Sequence, residues 1–421
     1  MRSKQKSKGF TRQVVLFFLL VPARRLHRYR DNIGVKIKQN YILFKASKYL
    51  SLPFKGHKLL RFSAKVSGSI AADSGVETYI NTRDNREVPT SIALSINVVN
   101  PVKELGIPLF NVKDIPRKGR GLIARFNISK GTQILYEKPL LTAVPMPRKE
   151  LELTLATRLR ALPKALQRQF LSLHNKSPRS YPFSTVFKTN ALLCGSNSVV
   201  GGVYPTICLI NHSCIPNSHN NWNKNEKHET IHAIRPIKAG EEITIPYDHG
   251  GPSAERHDFL RESFDFDCSC SRCSSSSSEL QDSDARRRLI SSLDDAIGDP
   301  TNMMGRPTES LSNCLLLLQI LKAEYDDGAE PLNARLYYDA FQVSIAHGDQ
   351  ARASIFADKA YQARVVCEGE DSPETQRVKA LALKPAAHAS YGLCSMKWRT
   401  KKQTVPKGLD VVQFEKWLFR K

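Results

Sequence analysis

Apolar positions in this chain keep two different rhythms. Residues 107–113 and 121–126 come as short bursts around the polar turn Pro116-Arg117-Lys118-Gly119-Arg120-Gly121, and Gly131 opens a longer run over 132–144. That is the texture of short strands separated by turn residues. Over 148–174 the rhythm becomes helical: Leu151, Leu155, Leu159 and Leu162 recur at three- and four-residue steps, and Pro163 is placed to break or restart the helix. Strand texture returns over 231–237 and 242–247, with a turn at Ala239-Gly240. The serine run 274–278 reads as a flexible tether.

Beyond that run the pattern is helical to about residue 383. Segments 310–325, 332–347, 350–367 and 373–383 read as successive amphipathic helices divided by turns such as Gly348-Asp349 and Gly369-Glu370-Asp371-Ser372. The third carries Ala351, Ala353, Ala357, Ala360 and Ala363, a small-residue seam of the kind that TPR-like hairpins use. No exact 34-residue repeat can be traced, and an irregular bundle is equally compatible. A last short amphipathic helix, 411–418, could dock on this region.

A chain of 421 residues and 47.3 kDa has room for two or three domains. It contains no run of 18 apolar residues, so no membrane span is expected. The formal net charge of +23 is unevenly placed: residues 1–72 hold 17 Lys and Arg against one acid, Asp31, and so supply +16 of it. The basic character belongs to an N-terminal arm, not to the body. Such an arm suits nucleic acid, anionic lipid or an import receptor, or is a disordered, solvated tail. Within it, residues 14–23 outline a signal peptide, but Arg24-Arg25 follow at once. The Arg-rich, acid-poor start also fits a mitochondrial presequence or an upstream start site. Nine cysteines are too few for a disulfide scaffold and point to a reducing compartment.

The chemistry gathers in Asn211-His212-Ser213-Cys214-Ile215-Pro216-Asn217. Pro216 forbids a continuous helical ladder, and Asn and Ser favour local backbone bonds, so the segment should form a pinned loop. Downstream, Cys268-Ser269-Cys270-Ser271-Arg272-Cys273 packs three thiols as C-x-C-x2-C. Three thiols cannot close a tetrahedral zinc site, and Cys214 is the natural fourth. His219, His228, His232 and His249 lie in a stretch rich in Asn and Lys. They are expected to face solvent rather than hold metal.

The loop, then Gly240-Glu241-Glu242-Ile243-Thr244-Ile245-Pro246-Tyr247, then the cysteine cluster, resembles the end of a SET domain with its post-SET zinc segment. That family comprises protein lysine methyltransferases using S-adenosylmethionine. The resemblance is closest to fungal SMYD-like SET proteins, although the MYND zinc finger is missing. It implies an α+β fold: small SET sheets with a knot-like C-terminal segment, a helical insert, a post-SET zinc segment and an all-α TPR-like region. The implied domains are a basic arm over 1–95, a SET domain over 96–250 with its insert at about 145–200, the zinc segment over 251–274, helices over 279–395 and a tail over 396–421.

By the same resemblance, Gly119, Arg120, Gly121, Asn211 and His212 bind the cofactor, with Arg120 near its carboxylate and His212 acting mainly through its backbone. Cys214, Cys268, Cys270 and Cys273 hold zinc. Tyr247 is the catalytic tyrosine, with Tyr204 and Phe266 on the walls of the lysine channel. Pro246 departs from the commoner motif. The implied substrate is a protein lysine, on a histone or on another protein, with the helical region open to a peptide partner and nucleic acid confined to the arm. The implied location is nucleus or cytoplasm. The rival is an inactive SET fold serving as a zinc-stabilised scaffold.

Overall fold

The computed structural model describes residues 107–176, 181–196, 198–248 and 250–421. The basic arm, the apolar run 14–23 and His249 therefore lie outside the described residues.

In chain order the strands are β1 (Phe110–Ile115), β2 (Gly119–Ala124), β3 (Gln133–Glu137), β4 (Leu141–Ala143), β5 (Leu192–Leu193), β6 (Gly201–Val203), β7 (Asn211–His212), β8 (Ser218–Asn223), β9 (His228–Ala233) and β10 (Glu242–Ile245). The expected hairpin is present. β1 and β2 pair antiparallel from Phe110↔Ala124 to Ile115↔Gly119, and the turn uses left-handed backbone at Arg117 and Gly119, with φ of 63° and 72°. β10 then joins two distant segments. It pairs antiparallel with β2 at Ile243↔Leu122 and parallel with β7 at Thr244↔Asn211 and Ile245↔His212, giving the order β1-β2-β10-β7.

The run expected as one strand over 132–144 is two strands in different sheets. Pro139, which has no N–H to give a ladder, falls between them. β3 enters the sheet β3-β9-β8, and β4 enters β4-β6-β5. β9 is buried along its whole length, so both of its faces are covered. Glu229, Ile231 and Ala233 look into the first core, while Thr230 and His232 share the opposite face.

The insert holds α1 (Arg148–Arg160), α2 (Lys164–Leu171) and α3 (Pro182–Asn190). Leu151, Leu155 and Leu159 are buried as the spacing predicts, and the chain restarts as α2 with Pro163 at the cap. After β10 come α4 (Ser253–Phe264), α5 (Ser277–Ile297), α6 (Pro300–Gly305), α7 (Pro307–Tyr325), α8 (Glu330–Ala346), α9 (Gln350–Glu368), α10 (Pro373–Leu383) and α11 (Val411–Leu418). The serine run is not a tether. Ser276 accepts from the Glu279 amide while Glu279 reaches back to the Ser276 amide, a capping box that starts the 21-residue α5.

Two apolar cores result. One fills the sheets from Leu109 to Phe264, and the other joins Leu293, Phe341 and Phe356 to Leu418 and Phe419. The alanine seam of α9 is buried as expected, and α11 docks through Trp417 and Phe419, whose ring lies 5.1 Å from that of Phe356. Across the boundary between the cores, α9 covers the outer face of β8 and β9. Asn223 Nδ2 donates to Asp371 at 3.2 Å, and a Cβ on Gly369 would lie 3.1 Å from His232 Nε2. The expectation of solvent-facing histidines is therefore corrected. His228 and His232 are buried and His219 is half-buried, because the helices cover a face that reads as polar in sequence.

Candidate functional site

The Asn211–Asn217 loop is laced to β10. Asn217 accepts from the Thr244 amide at 2.9 Å and donates to the Glu242 carbonyl at 2.8 Å, and the Ser213 amide donates to Ile245 at 3.2 Å. On the approach to the loop, the buried Glu137 carboxylate accepts from the amides of Thr206 and Ile207 at 2.9–3.1 Å. It thereby fixes the short 3-10 turn Ile207–Leu209. Burial pushes the Glu137 pKa up to about 7, against those donors. Sequence reading missed it; the signal is an acid sharing the inward register of Leu135.

Three of the expected cofactor positions, the Arg120 backbone, Gly121 and Asn211, meet one another. A Cβ on Gly121 would stand 2.7 Å from Asn211 Nδ2 and 2.3 Å from Ile115 Cδ1, so a residue 90 positions away fills the space a side chain would need. Gly119 is open, with no atom of the described residues within 4 Å of a built Cβ. Asn211 spends its amide hydrogens on the Arg120 carbonyl (3.3 Å) and Glu242 Oε1 (2.9 Å). What Asn211 can present to a ligand is thus its acceptor oxygen. Glu242, which the sequence reading passed over, also pairs with Lys118 at 2.7 Å. Arg120 points to the insert instead, donating to the Ser172 carbonyl at 2.5 Å and hydroxyl at 3.0 Å.

His212 is structural through its ring. Nδ1 accepts from the Tyr247 amide at 2.9 Å, which leaves the proton on Nε2, 3.3 Å from Asp248 Oδ2 and 3.3 Å from Cys214 Sγ. Tyr247 is buried, and its hydroxyl donates to the Ile210 carbonyl at 2.5 Å. Ring centroids of Phe264 and Phe266 lie 4.9 and 6.4 Å from it, so Phe264 is the nearer wall and one the sequence reading did not name. Burial first, then the neighbouring Cys208 and Glu242, raises the Tyr247 pKa well above the usual phenol range. Tyr204 is fully buried, with its hydroxyl 3.6 Å from Cys194 Sγ.

Cys214, Cys268, Cys270 and Cys273 come together, their sulfurs all within 4.8 Å of one another. A tetrahedron of bonds of about 2.3 Å has an edge of about 3.8 Å. The Cys214–Cys273 and Cys214–Cys268 separations are 3.6 and 3.9 Å. Hydrogen bonding, with Cys214 first of all, holds the Cys273 thiol below its usual range, while hydrogen bonds to the other three push Cys214 up. Arg256, another residue missed in sequence, is fully buried against the group, with Nε 3.3 Å from Cys214 Sγ and Nη1 on the Gly251 carbonyl at 2.6 Å. Asp284 Oδ1 stands 3.8 Å from its Nη1, and thiolates held by a metal would give this buried guanidinium further anionic partners. The residues fit a four-sulfur zinc site.

A SET domain family model matches residues 119–248. Histone-lysine N-methyltransferase set5 of Schizosaccharomyces pombe is 34% identical over 284 residues, spanning 67% of this chain and 86% of the relative. Histone-lysine N-methyltransferase SMYD3 of Homo sapiens is 39% identical over 106 residues, 24% of this chain and 23% of that protein. N-lysine methyltransferase SMYD2-B of Danio rerio is 26% identical over 174 residues, 37% of this chain and 39% of that one.

Proposed function

This chain belongs to the SET-domain protein lysine N-methyltransferases, and we propose that its reaction is run by Tyr247 beneath the Asn211–Asn217 loop, on histone lysine. When bound, S-adenosylmethionine supplies an electrophilic methyl group on a sulfonium. The observation that carries the reading is that Tyr247 is fastened at both ends to one segment, its amide to His212 Nδ1 and its hydroxyl to the Ile210 carbonyl.

The residues fit the cofactor. Asn211 offers an acceptor suited to an ammonium group, and Gly119 and Gly121 leave the backbone of β2 approachable. Arg120 is the candidate cation for its carboxylate, which it would reach by leaving Ser172. Tyr247, Phe266 and the nearby Phe264 form the aromatic group of the lysine channel, with Tyr204 assigned to its deeper wall.

A lysine of pKa about 10.4 must lose its proton before it can attack, at a cost of about 4.6 kcal/mol at pH 7. A buried aromatic wall disfavours the ammonium and reduces that cost. Tyr247 is not the base: its own proton is held by burial and by the Ile210 carbonyl. Its oxygen orients the neutral amine, and the lysine proton leaves to water. Cys214, Cys268, Cys270 and Cys273 would hold zinc as a structural ion, tying the cofactor loop to the segment that carries Phe266.

Histones are the proposed substrate class because the relative matched over 86% of its length is a histone-lysine methyltransferase, and the proposed location is the nucleus. The helical region is assigned the docking of protein partners. The test uses methyl-labelled S-adenosylmethionine with recombinant histones in one reaction and ribosomal proteins in another. Label on a histone lysine supports the reading. Label confined to the ribosomal fraction overturns the substrate class, and label on neither supports the scaffold alternative.

A further inference from the structure

The helical region reaches into the site through one buried network. Glu324, at the end of α7 and 1% exposed, accepts from Ser283 Oγ at 2.6 Å, Arg287 Nε at 2.6 Å and Arg286 Nε at 2.9 Å, all on α5. Its own carbonyl accepts from Nη2 of Arg272, which lies between Cys270 and Cys273, at 3.2 Å. Arg287, also buried, uses its other arm to donate from Nη2 to the Cys214 carbonyl at 2.9 Å. Its guanidinium lies 5.0 Å from the Tyr325 ring centroid. Beyond Tyr325 the chain still follows the loop: a Cβ on Gly328 would stand 3.4 Å from the Pro216 carbonyl.

We propose that Arg287 and Glu324 are positioning residues for methyl transfer: through the Cys214 carbonyl, the helical region sets the conformation of the loop that presents Asn211 and His212 to the cofactor. The inference rests on the reading of that loop as the cofactor site. A guanidinium has a rigid fork, so one group satisfies a carboxylate on one element and a carbonyl on another and fixes their separation. Lysine carries the same charge at a point on a flexible stem, without the fixed fork that sets this separation. Cys214 is two residues from His212, and its backbone is inextensible. A shift of its carbonyl is therefore passed to the residues that face the cofactor, while its sulfur stays with the cluster.

The test uses the full chain and Arg287→Lys, which keeps the charge beside Glu324. Calorimetric affinity for S-adenosylmethionine should fall about tenfold, roughly 1.4 kcal/mol. Amide exchange over 211–217 should quicken, and zinc content should stay at one ion per chain. Unchanged affinity and exchange would make Arg287 a packing residue and overturn the proposal. If Arg287→Lys fails to fold, Glu324→Gln decides: it keeps the size of the side chain and removes the charge that holds the Arg287 fork. Faster loop exchange in that folded variant supports the proposal, and unchanged exchange refutes it. Asn211→Ala separates the two ideas. If it weakens cofactor affinity and Arg287→Lys does not, the positioning role fails and the site stands. If it leaves affinity untouched while Arg287→Lys lowers it, the site reading fails instead.

Discussion

Acidification should loosen the seam between the β8–β9 sheet and α9. His219 and His232 are cross-strand partners on the face that α9 covers, and Arg364, Glu368 and Asp371 lie on or just after that helix. Burial, and then the charge of Arg364, lowers the His219 pKa from 6.5 to about 4. Burial, and then His219, lowers that of His232 to about 3. Among the described residues His232 Nδ1 has no hydrogen-bond partner, so protonation would leave a buried charge uncompensated there.

Because both folded values lie below 6.5, the unfolded chain binds more protons on the acid side. The stability these rings carry is complete above pH 6.5 and is lost as pH falls toward 3–4. At pH 5 an imidazole barred from protonation costs about 2 kcal/mol relative to pH 8. His232 should contribute most of that, and His219 less, because it keeps some contact with solvent. Together they predict a loss of about 3 kcal/mol. The buried Glu229, pushed up to about 8 by burial, titrates in the opposite sense, so the wild-type profile alone does not isolate the histidines. The comparison that does is wild type against His219→Asn/His232→Asn, by guanidinium unfolding at pH 5 and pH 7.5. The double variant should have the flatter acid limb by about 3 kcal/mol. Equal losses in both proteins would refute the reasoning.

Two further outcomes follow from the site. Cys270→Ser should lose zinc by metal analysis and lower the melting temperature, and a chelator should bring wild type to the same state, since a structural metal contributes directly to folding. Gly121→Ala should cost about 1–3 kcal/mol of stability by overpacking. It should also weaken cofactor binding in calorimetry, because the new methyl group collides with the Asn211 amide and the tip of Ile115.

The parts of the fold legible in sequence were those carried by local spacing. Pro163 marked the restart between α1 and α2, the alanine seam marked α9, and four thiols in two segments announced their own convergence. The parts that escaped depend on what covers a face. β8 and β9 look polar because their outer side meets other polar groups on α9, and nothing within either segment reveals that partner. Arg256, Arg287 and Glu324 read as ordinary helix-surface charges at their spacing. Only the tertiary arrangement buries the two arginines against Cys214, 42 residues from Arg256 and 73 from Arg287, and Glu324 against Arg287. Phe264, two residues before the named Phe266, was hidden because helix α4 ends on it and turns its ring to Tyr247.

The most direct test of the assigned chemistry is single-turnover transfer by wild type and Tyr247→Phe on one identified lysine. The substitution keeps the ring among Phe264, Phe266 and His212 and removes only the oxygen that meets the Ile210 carbonyl. Transfer should slow by about tenfold or more, each factor of ten being about 1.4 kcal/mol of barrier, while cofactor affinity stays near wild type. Equal rates in the two proteins would remove Tyr247 from the mechanism.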